Sequence, residues 1–165
     1  MPEAVKLLDT IPGIAERVAE TVVSEIGVEM SRFATDGHLA SWAGMCPGNN
    51  ESAGKRKSGK TGKGNRYVRA ALVQAAWAAT HQKGTYLAAQ YQRLVKRMGK
   101  KKALVAVGHS ILVIVYHVLA TRTSYQEMGG DYFDQRHVAH HRARLIRQLE
   151  GTGLKVTIEE LPVAA

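Results

Sequence analysis

The sequence predicts a mainly α-helical protein, and three observations lead to this class. Apolar residues recur at intervals of three and four along most of the 165-residue chain. Residues 103–121 carry no formal charge, and an apolar stretch of that length fits the central helix of a bundle. Residues 47–63 are too polar and too rich in glycine for a helix or strand, so we predict a long basic loop there.

Residues 1–30 contain LLDTIPGIAERVAETVVSEIG, which predicts a helix-hairpin-helix. A short apolar segment precedes the Pro-Gly turn, and apolar residues recur after it at helical spacing. Such a turn directs backbone N–H groups and a helix N-terminus at a DNA phosphate. We therefore predict DNA contacts at Gly13, Ile14 and Ala15. An ordinary αα-hairpin that packs on the core is the alternative, and the Ile-Pro-Gly-Ile spelling favours the DNA-binding form.

Residues 31–128 are predicted to form the main core, including the basic loop and a helical bundle. The segment TDGHLASWAGM predicts a short helix capped by Thr35 or Asp36. Its inward-facing residues are predicted to be Leu39, Trp42 and Ala43. A longer helix is predicted over 64–82, and TYLAAQYQRLVKRMGK predicts an amphipathic helix after it.

The apolar run 103–121 has two interpretations. A bilayer span needs roughly 20 apolar residues, so the length alone permits one. However, Gly108, His109 and His117 interrupt the run, which favours a core helix. We predict that Val105, Leu112 and Val115 lie buried at the centre of the bundle.

The tail, residues 129–165, predicts a helix over 134–150 followed by a short C-terminal strand, because LKVTIEEL alternates in polarity. His137, His140 and His141 have a helical spacing that suits zinc. No cysteine or carboxylate completes such a set nearby, so a solvated helix face is the favoured interpretation and no metal site is predicted.

Charge is strongly segregated along the chain. The formal net charge is +9, and residues 52–126 contain fifteen Lys or Arg and no Asp or Glu. The remainder carries a net charge of −6. This distribution indicates a segment that binds a polyanion, for which DNA is the predicted partner and a membrane surface the weaker alternative. A single cysteine and the lack of a signal-peptide pattern predict a cytoplasmic protein.

The basic segment also contains GKRKSGKT, which matches the nucleotide-binding P-loop pattern from Gly54 to Thr61. A P-loop needs a buried strand before it and a helix that starts at its lysine. CPGNNESA precedes the match and Gly62 and Gly64 follow it, so neither element is predicted. Magnesium would also need an acidic residue, and none follows before Glu127. We therefore reject ATP binding.

Two serines of the basic segment are candidate nucleophiles, Ser52 and Ser58. A serine hydroxyl reacts with a phosphodiester only when a base or a metal removes its proton, and nearby cations stabilise charge on the attacked phosphate. Chemistry alone does not distinguish the two serines. The predicted phosphate-binding cations are Lys55, Arg56, Lys57, Lys60, Lys63, Arg66 and Arg69.

Three segments together resemble the C-terminal transposase domain of the IS110/IS116/IS902 insertion-sequence family. They are LLDTIPGI, RFATDGHLASWAGMCPGNNESAGK and GKGNRYVRAALVQAAWAA, and the resemblance covers nearly all of residues 1–135. It implies a DNA recombinase in which an N-terminal RuvC-like domain supplies acidic residues and magnesium. The C-terminal domain supplies a serine that forms a phosphoserine link with cut DNA, and a bridge RNA guides the choice of sites.

Carried onto this sequence, the family's serine matches Ser52. Ala53 departs from members in which glycine follows the serine directly. The 165 residues contain no acidic domain, so we expect Mg²⁺ only through that absent domain and predict that the isolated chain is inactive. The resemblance further implies a homo-oligomer in the full-length protein and a bacterial, nucleoid-associated location. The alternative is a non-catalytic helix-hairpin-helix module that only binds nucleic acid.

Overall fold

The computed structural model describes residues 2–48 and 50–157, with only the backbone described at Asn50, Arg56 and Lys57. It confirms the mainly helical fold. Contacts divide the chain after Gly130 into a larger unit and a C-terminal unit. The helices are α1 (Pro2–Asp9), α2 (Glu16–Ile26), α3 (Asp36–Trp42), α4 (Arg66–Ala79), α5 (Tyr86–Met98), α6 (Lys100–Thr121) and α7 (Tyr132–Glu150). The strands are β1 (Asn50–Ser52) and β2 (Lys55–Ser58), and a 3₁₀ turn covers Met30–Arg32.

Helix α6 is the central helix of the larger unit and packs against α1, α3, α4 and α5. Leu112 and Val115 are fully buried, as predicted. Val105 is only half-buried, because it lies off the stripe that recurs every three or four residues. By length and composition alone α6 is long enough to cross a membrane. Its packing against four other helices is that of a bundle core, which agrees with the favoured interpretation. The buried stripe comprises Ala103, Val107, Gly108, Ile111, Leu112, Val115, Val118 and Leu119.

Helices α1 and α2 form a hairpin whose turn packs onto the last turns of α4. Gly13 adopts φ +88°, a conformation that favours glycine. A Cβ atom at Gly13 would overlap the carbonyl oxygen of Ala75 and lie 2.8 Å from the backbone nitrogen of Ala79. Helix packing therefore requires glycine at this turn, whether or not the turn also contacts a phosphate.

The short helix α3 is capped by Thr35, whose hydroxyl accepts a hydrogen bond from the His38 N–H at 3.2 Å. Leu39 is buried, and so is Ala43, as predicted. The prediction for Trp42 is wrong, because its side chain is 42% exposed. Its ring packs at the surface against Phe33 instead, with ring centroids 5.8 Å apart.

Helix α4 begins at Arg66, two residues later than predicted, because Asn65 occupies the N-cap position. The Asn65 Oδ1 accepts hydrogen bonds from the N–H groups of Tyr67 and Val68 at 2.9 and 3.1 Å. Its Nδ2 donates to Glu25 on α2 at 2.7 Å. One side chain thus starts α4 and ties it to the α1–α2 hairpin.

The C-terminal unit consists of α7 and the residues after it. Helix α7 begins two residues earlier than predicted and buries none of its residues. The rings of His137 and His141 stack with centroids 6.5 Å apart, but the described part of the chain brings no three metal-binding side chains together. His137, His140 and His141 are all exposed on α7. Residues 154–157 form no strand, and the rest of the predicted C-terminal strand lies outside the described residues.

Candidate nucleic-acid interface

The predicted basic loop, residues 47–63, contains a β-hairpin, whereas we predicted that it is irregular throughout. Strands β1 and β2 pair antiparallel, with Ser52 opposite Lys55 and Glu51 opposite Arg56. The ladder continues at the base, where the Gly48 N–H donates to the Lys60 carbonyl at 2.9 Å. These strands are held by backbone hydrogen bonds, and their sequences, NES and KRKS, contain no apolar residue. Their sequence therefore lacks the alternation by which strands are recognised.

Ser52 stands at the tip of this hairpin. The two turn residues, Ala53 and Gly54, have φ angles of +50° and +72°, the signs of a type I′ hairpin turn. Ser52 is the residue immediately before the turn, and its side chain is exposed. Residues directly opposite each other in an antiparallel pair place their side chains on the same face. The exposed side chain of Lys55 therefore shares a face with the Ser52 hydroxyl.

The two candidate serines, equivalent on chemistry, occupy different environments. The Ser58 side chain is half-buried, and its hydroxyl accepts a hydrogen bond from the Lys60 N–H at 3.2 Å. Ser58 therefore shapes the exit from β2. Ser52 is exposed at the tip, where a phosphodiester has access to it.

The hairpin leaves the bundle at a tight crossing of two backbone segments. Gly64 has φ +47°, and a Cβ atom there would overlap the carbonyl group of Ala43 at the end of α3. Beside this crossing, the guanidinium of Arg69 donates to the Gly62 carbonyl at 3.1 Å. Asn65 completes the anchor through its bond to Glu25. The tip thus extends from a base that the α-helical core holds in place.

The predicted phosphate-binding cations differ in availability. Arg69 is half-buried and engaged with its own loop. Arg66 is exposed and lies 4.7 Å above the ring of Tyr67, to whose hydroxyl it donates at 2.8 Å. The side chains of Arg56 and Lys57 lie outside the described residues. The other predicted cations, all exposed, are Lys55, Lys60 and Lys63.

The α1–α2 turn, where we predict DNA contacts, is only partly exposed. Ile14 is buried in the core, and Gly13 faces α4. Only Ala15 of the three predicted contacts is exposed. It lies at the N-terminus of α2, which no side chain caps. Sequence reasoning missed Asn65 as an anchor, although an asparagine directly before an apolar-periodic segment is a helix-start signal.

The turn at the hairpin tip can be tested by two opposite substitutions, one that introduces a glycine and one that removes a glycine. Ala53 adopts a left-handed conformation that costs a non-glycine residue about 1–2 kcal/mol, so Ala53→Gly is expected to stabilise the hairpin by about 0.5 kcal/mol after the added freedom of the unfolded chain. Gly54→Ala is expected to destabilise it by about 1 kcal/mol through strain alone, because a Cβ there meets nothing within 4 Å. Amide hydrogen exchange across the Ser52–Lys55 pair measures both effects, and shifts in the same direction would contradict the assigned turn.

A helical domain that projects a hairpin with one acidic residue, Glu51, and three basic ones, Lys55, Arg56 and Lys57, presents a net positive charge. Residues 5–92, more than half of the chain, match the sequence model of the transposase IS116/IS110/IS902 family, and the chain belongs to that family. It is also 34% identical over 120 residues to the pilin gene-inverting proteins of Moraxella bovis and Moraxella lacunata. The match covers 68% of this chain and 36% of each relative. This chain therefore spans about a third of the length of those relatives.

Proposed function

We propose that this chain is the serine-bearing domain of a DNA recombinase and that Ser52 is its nucleophile. The observation that carries the proposal is the exposed hydroxyl of Ser52 at the tip of a cationic hairpin, in a chain of a transposase family. Ser58 is a poorer candidate because its hydroxyl is already engaged with the backbone. The relatives' description as gene-inverting proteins is consistent with strand cleavage and exchange.

The proposed step is a transesterification at phosphorus. A bond forms between the Ser52 Oγ and the phosphorus of a DNA phosphodiester, and one bond from that phosphorus to a deoxyribose oxygen breaks. The serine proton leaves with a base, and the departing oxygen takes up a proton. The ammonium of Lys55, on the same face as Ser52, is placed to stabilise negative charge on the attacked phosphate. Lys60, Lys63 and Arg66 contact phosphates farther along the DNA.

The family implies Mg²⁺, but the described residues of this chain do not fit it. They contain no cluster of three potential ligands, and Glu51 is the only carboxylate next to Ser52 in sequence. We propose that an acidic domain elsewhere in the longer recombinase holds the cation. The same proposal includes a guide RNA as a partner and assembly of the longer recombinase into a homo-oligomer. It places the protein in the bacterial cytoplasm, at the nucleoid. It also includes a weaker phosphate contact at the α1–α2 turn.

The isolated chain is expected to bind duplex DNA with a steep salt dependence but neither to cut it nor to link to it. Each phosphate neutralised contributes a slope of about −0.9 to the logarithm of affinity against the logarithm of salt concentration. Changing Lys55, Lys60, Lys63 or Arg66 to Ala is expected to weaken binding to all sequences alike and to reduce the slope by about 1 for each. Fluorescence anisotropy on labelled duplexes measures both quantities.

Lys6→Ala is the control, because Lys6 is exposed on α1 outside the hairpin and its loss should leave the slope unchanged. Binding that is indifferent to salt would overturn the phosphate contacts. Cleavage by the isolated chain would show that the reaction needs no group from outside it.

The proposed phosphoserine is tested by locating the adduct in the longer recombinase. Trypsin cuts after Arg32, Lys55, Arg56, Lys57 and Lys60, so Ser52 and Ser58 fall in different peptides. We expect nucleotide mass on the peptide of residues 33–55, and fragmentation should place it on Ser52 rather than Ser41. Nucleotide mass on the 58–60 peptide would assign the reaction to Ser58. Specific DNA binding without any adduct would leave a non-catalytic nucleic-acid-binding module.

A further inference from the structure

An open groove of about 770 Å³ runs beside α4, and its lining residues do not include Ser52 or Lys55 of the hairpin tip. Lys63, Arg66 and Arg69 line its part nearest the start of α4, and Trp77 lies about three helical turns farther along. Leu104 of α6 contributes to the wall. The remaining lining residues are Ala70, Val73 and Gln74.

The groove is lined mainly by apolar and basic side chains, and none of its lining residues is acidic. No acidic residue occurs between Ser52 and Gln126, so no side chain of that segment neutralises its lining cations. Lys100 and Lys101 precede Leu104 by one helical turn and lie on its side of α6. Both are exposed. The charge of the groove therefore complements a polyanion.

Trp77 is the unusual residue of this surface, because its large apolar side chain is 59% exposed. The ring of His81 packs against it, with centroids 4.5 Å apart. The His81 Nδ1 lies 2.8 Å from the Trp77 carbonyl oxygen, which fixes the imidazole beside the indole. Trp77 is thus held in position while much of its surface faces solvent.

We propose that this groove binds a single-stranded nucleic acid, with a base stacked on Trp77 and phosphates on Lys63 and Arg66. A cationic groove joined to an exposed aromatic ring is the combination by which proteins bind single strands, since stacking needs unpaired bases. Arg69 contributes charge, but its guanidinium is engaged with Gly62. The proposal needs no reaction at Ser52, although its RNA arm rests on the guide RNA of the proposed function.

The test uses Trp77 as its own reporter. The chain contains two tryptophans, and Trp42→Phe leaves Trp77 as the single tryptophan, whose emission is excited selectively over that of the tyrosines. Oligo(dT) and oligo(U) of about ten nucleotides, within the usual site size, are titrated in parallel with a blunt duplex of equal charge. We expect both single strands to quench Trp77, and the tighter of the two identifies DNA or RNA as the preferred source.

Trp77→Ala is expected to weaken single-strand binding by roughly 5- to 100-fold, the usual effect of losing one stacked base, and to leave duplex binding at the hairpin within about 2-fold. Trp77→Phe should lose less, because a smaller ring still stacks. Trp42→Ala is the matched control, since Trp42 is also partly exposed but does not line the groove. Thermal melting of each variant checks folding.

The proposal would be overturned if Trp77→Ala left the affinity for single strands unchanged. It would also be overturned if the variant lost as much affinity for the duplex as for single strands. Equal quenching by polyglutamate would overturn it in favour of an acidic protein partner. A dimer that is broken by Trp77→Ala would assign the groove to a second copy of the chain. The same titrations can be made with Ser52→Ala, which cannot form the adduct. Loss of single-strand binding and loss of adduct formation are therefore measured independently.

Discussion

Replacing Ser52 by alanine in the longer recombinase is expected to abolish the covalent protein–DNA adduct while leaving DNA binding intact. The substitution removes only the Oγ atom that would form the bond to phosphorus. Losing the nucleophile of a covalent mechanism lowers turnover by several orders of magnitude, about 10⁶-fold in a well-studied protease. Ser52 is exposed, so its loss should not disturb the fold. Denaturing gels of the variant with labelled substrate, beside anisotropy for binding, separate the two effects.

Ser58→Ala is the matched control, since it removes the same atom six residues away in the same hairpin. It deletes the acceptor of the Lys60 N–H, which is expected to cost about 1 kcal/mol and to lower the adduct yield only modestly. An adduct that survives Ser52→Ala but not Ser58→Ala would show that Ser58, and not Ser52, is the nucleophile. Loss in both variants together with weaker binding would indicate a disrupted hairpin instead.

Gly13→Ala is expected to unfold much of the protein, although it adds a single methyl group. That methyl would overlap the Ala75 carbonyl oxygen and lie 2.9 Å from the Ala79 Cβ, on a helix backbone that cannot move aside. The φ angle of +88° adds strain of its own. Together these effects should exceed about 4 kcal/mol, a large share of a typical stability of about 5–15 kcal/mol. Urea unfolding followed by far-UV circular dichroism measures the change.

Substitutions at two further glycines distinguish the effect of steric overlap from that of backbone strain. Gly84 has φ +78° but open space around its Cβ position, so Gly84→Ala should cost only the conformational strain of about 1–2 kcal/mol. Gly62 has open space and no left-handed φ, so Gly62→Ala should change stability by less than about 0.5 kcal/mol. A Gly13→Ala variant no less stable than Gly84→Ala would contradict the packing of the α1–α2 turn on α4.

The candidate site was only partly predictable. Charge counting located the cationic segment, and the family resemblance selected Ser52. The hairpin itself was not predicted, because Glu51, Lys55 and Arg56 are polar on both faces of the ladder and carry no alternation. The environment of Ser58 depends on the course of the chain at Lys60, which no local pattern encodes. From sequence, Arg69 was predicted to bind phosphate. The structure shows that its guanidinium already donates a hydrogen bond to the Gly62 carbonyl.

The sequence alone determined those features of the protein that depend on interactions between residues close together in the chain. Helical periodicity, the cap at Thr35 and the uncharged run of α6 depend on residues within a few positions of each other, so helix class and approximate bounds were predictable. The tertiary structure decided which surfaces meet. It paired Asn65 with Glu25 across 40 residues, set Gly13 against α4, and left Trp77 exposed in a groove with Arg66. These outcomes depend on how α2, α4 and α6 pack, because contacts between distant residues form only when helix faces are brought together.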